Sequence, residues 1–281
     1  MTMKMSKPEL VAIAYQNLEI CAAGYYTVED LDKVVMLDHA LDRCETGTVL
    51  YTPAMLRFAL EMPYEGTEEA VKVTVTKETT QAALRRLAAR GPVCGLNFAS
   101  AKNPGGGWLR GTVAQEEDLA RASALYQSLI TKPTYYEANR EADNPLYTDH
   151  LIYSPEVPFF RDASYKLLEA PFYASIITMP APNAGALFAK GLGNQEDLAD
   201  AVRRRIAMIL KIAYVKRHRR LVLGAWGCGV FKNDAYLVAR TFREKLDLYA
   251  GMFDEVVFAI HDTSAEQETL QAFVSILGGR F

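Results

Sequence analysis

Residues 92–117, PVCGLNFASAKNPGGGWLRGTVAQEE, constrain the fold more than any other stretch. The apolar run 93–98 has the length and content of a buried strand. It stops at Asn103-Pro104-Gly105-Gly106-Gly107, a run that neither strand nor helix can continue. Consecutive glycines permit positive φ and, lacking Cβ, let a ligand lie directly on the backbone. Thr112 and Gln115 then have the T-x-x-Q spacing of a capping box, which predicts a helix from about Val113. Glu116 and Glu117 fall in its first turns. Taken singly, each piece has a plainer reading: a mobile glycine turn, or acidic residues complementing a helix dipole. Their convergence marks a candidate site.

Strand and helix alternate through the rest of the chain. Residues 49–51 and 71–76 predict strands, and 78–89 a helix that stops at Gly91-Pro92. The helix from Val113 is expected to run to about Ile130. Residues 131–150 are polar and aromatic and read as a surface excursion. Residues 151–160 read as a short strand entering a proline-bounded loop, and 175–179 as a buried strand. A glycine-rich loop covers 184–194, and Asn194 caps a long helix. Strands at 221–225 and 256–260 and helices at 234–248 and 265–277 close the chain. At its start, Ser6-Lys7-Pro8-Glu9 opens a helix that ends near Gly24, and a second short helix is expected between Val28 and Arg43. Residues 1–45 read as a helical N-terminal extension packed on a domain of residues 46–281, because so short a piece makes a marginal core alone.

This order predicts an α/β sandwich on a mostly parallel sheet. In such sheets ligands bind outside the carboxyl ends of the strands. A second glycine loop, Trp226-Gly227-Cys228-Gly229-Val230-Phe231, also follows a strand directly, so the two loops are expected on one rim. Successive amides in such a turn can form an anion nest, helped by the start of the next helix. The loop lacks the G-x-x-x-x-G-K-[ST] pattern of a nucleotide-binding P-loop.

The formal charge of −3 advertises no general nucleic-acid surface, and an anionic ligand must find a local pocket instead. The four cysteines, Cys21, Cys44, Cys94 and Cys228, are scattered, which favours a reducing cytosol over a disulfide framework. The four histidines are equally isolated, so no metal-ligand spacing is visible. No signal peptide or membrane-length apolar run appears, and a cytoplasmic location is expected.

The order GGG, seven residues, then QEE resembles the signature of the poly(ADP-ribose) glycohydrolases, a branch of the macrodomain superfamily. The wording NFASAKNPGGGW and AQEEDLAR is similar to the small microbial type. The resemblance implies a macrodomain-like three-layer α/β/α sandwich with a mixed, six-stranded central sheet. It also implies hydrolysis of ribose–ribose O-glycosidic bonds in poly(ADP-ribose), mainly from chain ends, releasing ADP-ribose without metal or cofactor. ADP-ribosylated proteins are the implied partners, with no membrane and no direct nucleic-acid binding.

By the same resemblance, Glu117 is the general acid and base, and Glu116 holds ribose hydroxyls. Two carboxylates on one turn repel each other, which favours keeping one protonated. Gly105, Gly106 and Gly107 line the substrate. Gln115 is either a further substrate contact or only a helix cap. Gly227, Cys228, Gly229 and Val230 match the pyrophosphate loop. Phe231 either stacks on adenine or anchors that loop in the core. Asn97 matches the first asparagine of the N-A-A-N motif of macrodomains, whereas Ser100 stands where the second would contact ribose, so Asn103 is taken to supply that amide. Glu78 stands where macrodomains place an acidic contact to adenine. Two rivals remain: a macrodomain that reads ADP-ribose without cutting it, and an enzyme on this scaffold that removes a single ADP-ribose or an acetyl group. The intact QEE argues against the reader. The sequence does not separate trimming of the polymer from removal of its terminal unit.

Overall fold

The computed structural model describes residues 5–64 and 70–278. Helix α1 (Lys7–Ala23) starts where expected, with the Glu9 carboxylate accepting from the Ser6 amide at 2.6 Å, and ends at Gly24. Strands β1 (Tyr25–Val28) and β2 (Lys33–Met36) then pair as an antiparallel hairpin, with a 3-10 turn at Glu29–Leu31 between them. The hairpin replaces the first half of the second helix expected between Val28 and Arg43, because the run Lys33-Val34-Val35-Met36 is richer in strand-forming than helix-forming residues. Helix α2 (Asp38–Gly47) follows, and residue 45, the expected end of the extension, lies inside it.

The remaining elements are β3 (Val49–Tyr51), α3 (Pro53–Glu61), β4 (Lys72–Thr76), α4 (Thr80–Ala88), β5 (Cys94–Phe98), α5 (Gln115–Ala122), α6 (Leu125–Ile130), α7 (Pro133–Glu141), β6 (Leu151–Arg161), β7 (Leu167–Met179), α8 (Ala184–Ala189), α9 (Gln195–Val215), β8 (Arg220–Leu223), α10 (Ala235–Leu248), β9 (Glu255–Ala259) and α11 (Glu268–Leu277). Seven strands form one sheet in the order β3-β6-β7-β5-β8-β9-β4. Strands β7, β5, β8, β9 and β4 run parallel, while β6 is antiparallel to β7 and β3 to β6. The sheet is therefore mixed, with one strand more than the six expected.

Alternation along single strands shows the three layers. Leu221 and Leu223 of β8, with Val256 and Phe258 of β9, pack in one core with Ile206 and Ile209 of α9, Phe242 of α10 and Phe273 of α11. Val222 and Val257, one residue out of phase, pack on the other face with Leu84 and Leu87 of α4, Leu119 of α5 and Leu129 of α6. Both faces are apolar, as a parallel sheet between helices requires.

Three expectations in the middle of the chain are corrected. The single helix from Val113 to Ile130 is two helices. Ser123 has extended backbone and bridges to Phe159 of β6, and its hydroxyl bonds Leu119 O at 2.7 Å, which breaks the helix between α5 and α6. Residues 131–150 are not simply a surface excursion, because α7 buries Tyr135, Tyr136 and Asn139. Residues 151–160 do not enter a loop at their prolines. They belong to an 11-residue strand paired with the 13-residue β7, and register shifts at Ser154/Val157 and Phe159/Arg161 absorb the irregularity. In addition, α8 occupies the start of the expected glycine-rich loop.

Helix α1 packs behind the first glycine loop and α5. Ala14, Trp108 and Ala120 form one buried cluster. Asn17, also buried, donates to Arg121 O at 2.6 Å and accepts from Arg161 Nε at 2.6 Å. No helix among the described residues is long and apolar enough to cross a membrane.

Candidate active site

Strands β7, β5 and β8 are neighbours and parallel, so the segments leaving their carboxyl ends lie side by side. These segments are 180–183, the first glycine loop and the second glycine loop. The two loops expected on one rim are thus brought together.

The floor is built by β5 and α5. Asn97 faces α5 beside Thr178, its register partner on β7. Its Nδ2 donates to Thr178 Oγ1 at 3.2 Å and to Glu116 Oε1 at 3.1 Å. The Ser100 amide donates to Glu116 Oε2 at 2.7 Å. Glu116 is only 3% exposed. Burial pushes its carboxyl up to about 8, the charge of Glu117 adds to the rise, and the bonds from Ser100 and Asn97 oppose it. The Asn97 Oδ1 is buried and has no partner among the described residues. Turning that amide through 180° gives a protonated Glu116 an acceptor.

Glu117 is 7% exposed, and its Oε1 accepts from the Gly107 amide at 2.9 Å. Gly106 lies against this carboxylate at φ +62°, and a Cβ there would sit 2.5 Å from Glu117 Oε1 and 3.1 Å from Glu116 Oε2. A Cβ at Gly105 would meet the Trp108 ring at 2.7 Å, and one at Gly107 would strike Thr112 Oγ1. The space that the three glycines leave bare is filled by protein, which revises the idea that it is left for the ligand. Arg121, fully buried, donates to Thr112 O and, at 3.4 Å, to Trp108 O, bracing the same loop from below.

Gln115 corrects both sequence-based expectations for it. The Thr112–Gln115 capping box does not form; α5 starts after Ala114 with no side-chain cap. The Gln115 amide instead accepts from the Phe98 amide at 2.8 Å and donates to Leu96 O at 2.7 Å and Thr80 Oγ1 at 3.1 Å. Its hydrogen bonds are committed to β5 and α4, so it holds α5 on the strand end rather than reaching for a substrate. Asn103 is exposed, and its amide bonds Ser100 Oγ at 3.1 Å. Glu78 is engaged by Arg86 and by Thr76 Oγ1 at 2.9 Å, just past the end of the edge strand β4, two strands beyond β8. Neither glycine loop is among its partners.

The second loop turns at Gly227, φ +76°, where a Cβ would meet Asn233 Nδ2 and lie 2.5 Å from Ala181 Cβ. Asn233 Nδ2 fastens the turn, donating to Pro182 O at 2.8 Å and Gly227 O at 3.1 Å. Among the described residues, no acceptor takes the consecutive amides of Gly229, Val230 and Phe231. Val230 is 83% exposed. Asp234, the cap of α10, accepts from Tyr236 and Leu237. Amides left free just before a helix start are the groups an anion nest would use. Burial pushes the Cys228 thiol up to about 12, with Asp234 adding to it, so the sulfur is no nucleophile at neutral pH. Phe231 is half-buried, 5.9 Å from the Tyr147 ring and tilted 46° to it.

Sequence reasoning missed Tyr135 and Tyr136. Among the described residues their buried hydroxyls lack partners, and burial followed by the charge of Glu116 raises both pKa values. The Tyr-Tyr pair just after Pro133 was the available signal. Thr178, Asn233 and Tyr147 were also missed, and nothing local in the sequence distinguishes them. Among the described residues, no group of three His, Cys, Asp or Glu side chains could hold a metal ion.

Residues 14–162 match the family model of the microbial-type PARG catalytic domain. No curated protein matches the chain. Among solved structures, a poly(ADP-ribose) glycohydrolase from Thermomonospora curvata is 43% identical with a TM-score of 0.90, over 96% of this chain and 99% of that one. The same protein bound to the inhibitor ADP-HPD aligns at 43% identity and a TM-score of 0.88, over 95% of this chain and 98% of that one. The enzyme from Deinococcus radiodurans in complex with ADP-ribose is 46% identical with a TM-score of 0.79, over 85% of this chain and 96% of that one. The chain belongs to the microbial-type poly(ADP-ribose) glycohydrolases.

Proposed function

We propose that this poly(ADP-ribose) glycohydrolase cuts the ribose–ribose bond with Glu117 as the acid, working mainly from chain ends and releasing ADP-ribose. The leaving oxygen needs a proton and the anomeric carbon needs water, through an oxocarbenium-like transition state. One positioned carboxyl can give the proton and then draw one from the attacking water. Glu116, bonded to Asn97 and the Ser100 amide, orients the ribose hydroxyls. The free amides at 229–231 take the pyrophosphate, and Phe231 carries the adenine.

The observation that supports this most is the pair of buried carboxylates on the Gly106–Gly107 backbone, one strand from an anion nest. Two buried acids cost stability, and a pure reader has no use for that cost. The substrate is carried by ADP-ribosylated proteins in a reducing cytoplasm, a reading consistent with four unpaired cysteines. The mixed sheet between helices supports placement in the macrodomain superfamily.

The test is Glu117→Gln, which keeps size and a polar amide but removes the transferable proton. Polymer hydrolysis at saturating substrate should fall by roughly 10²–10⁴-fold, with ADP-ribose affinity by calorimetry within a few-fold. Near-normal turnover would remove Glu117 from the chemistry.

A further inference from the structure

Away from the catalytic pair, one guanidinium is wholly buried and bonded through all three nitrogens. Arg205 of α9 donates from Nε to Asp149 Oδ1 at 2.8 Å, from Nη1 to Pro180 O at 3.0 Å and from Nη2 to Tyr147 O at 3.0 Å. Arg204 adds two further bonds to Asp149, at 2.6 and 3.1 Å. The three acceptors lie on two separate segments. Pro180 is the first residue beyond β7, and Tyr147 and Asp149 belong to the stretch leading into β6.

Tyr147 is held at φ +59°, a left-handed conformation that a bulky residue rarely adopts. Its carbonyl is the one that Nη2 grips, and its ring is the one that meets Phe231. The chain of contacts is therefore short: guanidinium, Tyr147 backbone, Tyr147 ring, Phe231 ring. The centroid distance of 5.9 Å leaves no room for a base between the rings. Tyr147 is thus the backing of the Phe231 face and not a second stacking surface.

We infer that Arg205 is a positioning residue for the adenine end of the substrate, fixing Phe231 through Tyr147 without touching the ligand. This rests on the reading of Phe231 as the adenine platform. Lysine cannot replace arginine here, because one ammonium cannot reach three acceptors spread in the plane of a fork.

The experiment is a double-mutant cycle on the full chain with Arg205→Lys, Phe231→Ala and the pair. Its readouts are ADP-ribose affinity by calorimetry and kcat and KM on polymer. Arg205→Lys should weaken ADP-ribose binding and raise KM by about three- to tenfold, the size of a lost aromatic contact, with kcat held within about twofold. In the Phe231→Ala background it should add nothing. Additive losses, or a fall in kcat at unchanged KM, would overturn the assignment. Unchanged affinity in Phe231→Ala alone would sink the adenine platform itself, and the inference with it. If Arg205→Lys does not fold, Tyr147→Ala takes its place in the same cycle, where additivity again overturns the assignment.

Discussion

The two glycine loops sit on adjacent strands of one sheet, yet their glycines serve opposite ends. In the first, the missing side chains make room for protein: Trp108 against Gly105, Glu117 against Gly106 and Thr112 against Gly107. Its backbone is a mould for a carboxylate. In the second, only Gly227 is so enclosed, while a Cβ at Gly229 would meet nothing within 4 Å, and among the described residues three amides in a row have no acceptor. That loop leaves its amides open, as the proposed pyrophosphate contact requires. The lesson is that a run of glycines announces close approach but not of what. In one loop the approaching group is the protein's own Glu117 carboxylate.

The contrast breaks most readily at Gly106. Gly106→Ala sets a Cβ 2.5 Å from Glu117 Oε1 on a backbone at φ +62°. The left-handed residue costs roughly 1–2 kcal/mol of stability. Displacing the acid by about 1 Å costs on the order of 10²-fold in turnover. ADP-ribose affinity should change far less, since the proposed pyrophosphate contact lies in the other loop. Steady-state kinetics beside calorimetry check this, and a fully active Gly106→Ala would mean that the carboxylate is not seated where the acid must act.

A second test uses the electrostatics of the floor. Folding raises the Glu116 carboxyl from its ordinary value near 4.5 to about 8, chiefly by burial. The folded state therefore holds a proton that the unfolded chain has released. Its contribution is fully present below about 4.5 and is lost as pH rises toward 8. Between those limits wild type should lose about 1.4 kcal/mol per pH unit relative to Glu116→Gln, which has no proton to lose. Denaturant midpoints of both proteins at pH 6 and pH 8 measure the gap. Widening by about 2–3 kcal/mol is expected, and a constant gap would mean that the buried acid is charged throughout.

How much of this was legible beforehand follows from the range of the interactions involved. The ends of α1 and α9 were readable because caps are local: Glu9 returns to Ser6, and Asp197 to Asn194. Both loops were readable because strand, glycine and helix start follow one another in sequence. Gln115 was misread because its spacing from Thr112 fits a local cap, whereas its partners are Phe98, Leu96 and Thr80, up to 35 positions away. The break at Ser123 was invisible for the same reason, since its partner, Phe159, lies in a segment read as a short strand entering a proline-bounded loop. Tyr135 and Tyr136 looked like surface residues in a polar stretch until α7 turned them inward. Tertiary contacts override local pattern most where the site is assembled.

The smallest effect is expected at Gly229, and it sharpens the comparison because the substitution is the same as at Gly106. Gly229→Ala adds a Cβ in open space, at a position outside the left-handed region, and leaves its amide in the nest. Alanine narrows the unfolded ensemble, so the variant should gain about 0.4–1 kcal/mol if the loop backbone is retained. Turnover should match wild type, because no atom of the catalytic floor lies against Gly229. ADP-ribose affinity is the informative measurement. A change within a few-fold means that the pyrophosphate meets only the N–H edges of the loop. A loss of tenfold or more, about 1.4 kcal/mol, means that a phosphate oxygen lies against the bare face of Gly229 itself. In that case the second loop also uses a glycine for close approach, but to the substrate, whereas Gly106 uses it to seat the Glu117 carboxylate.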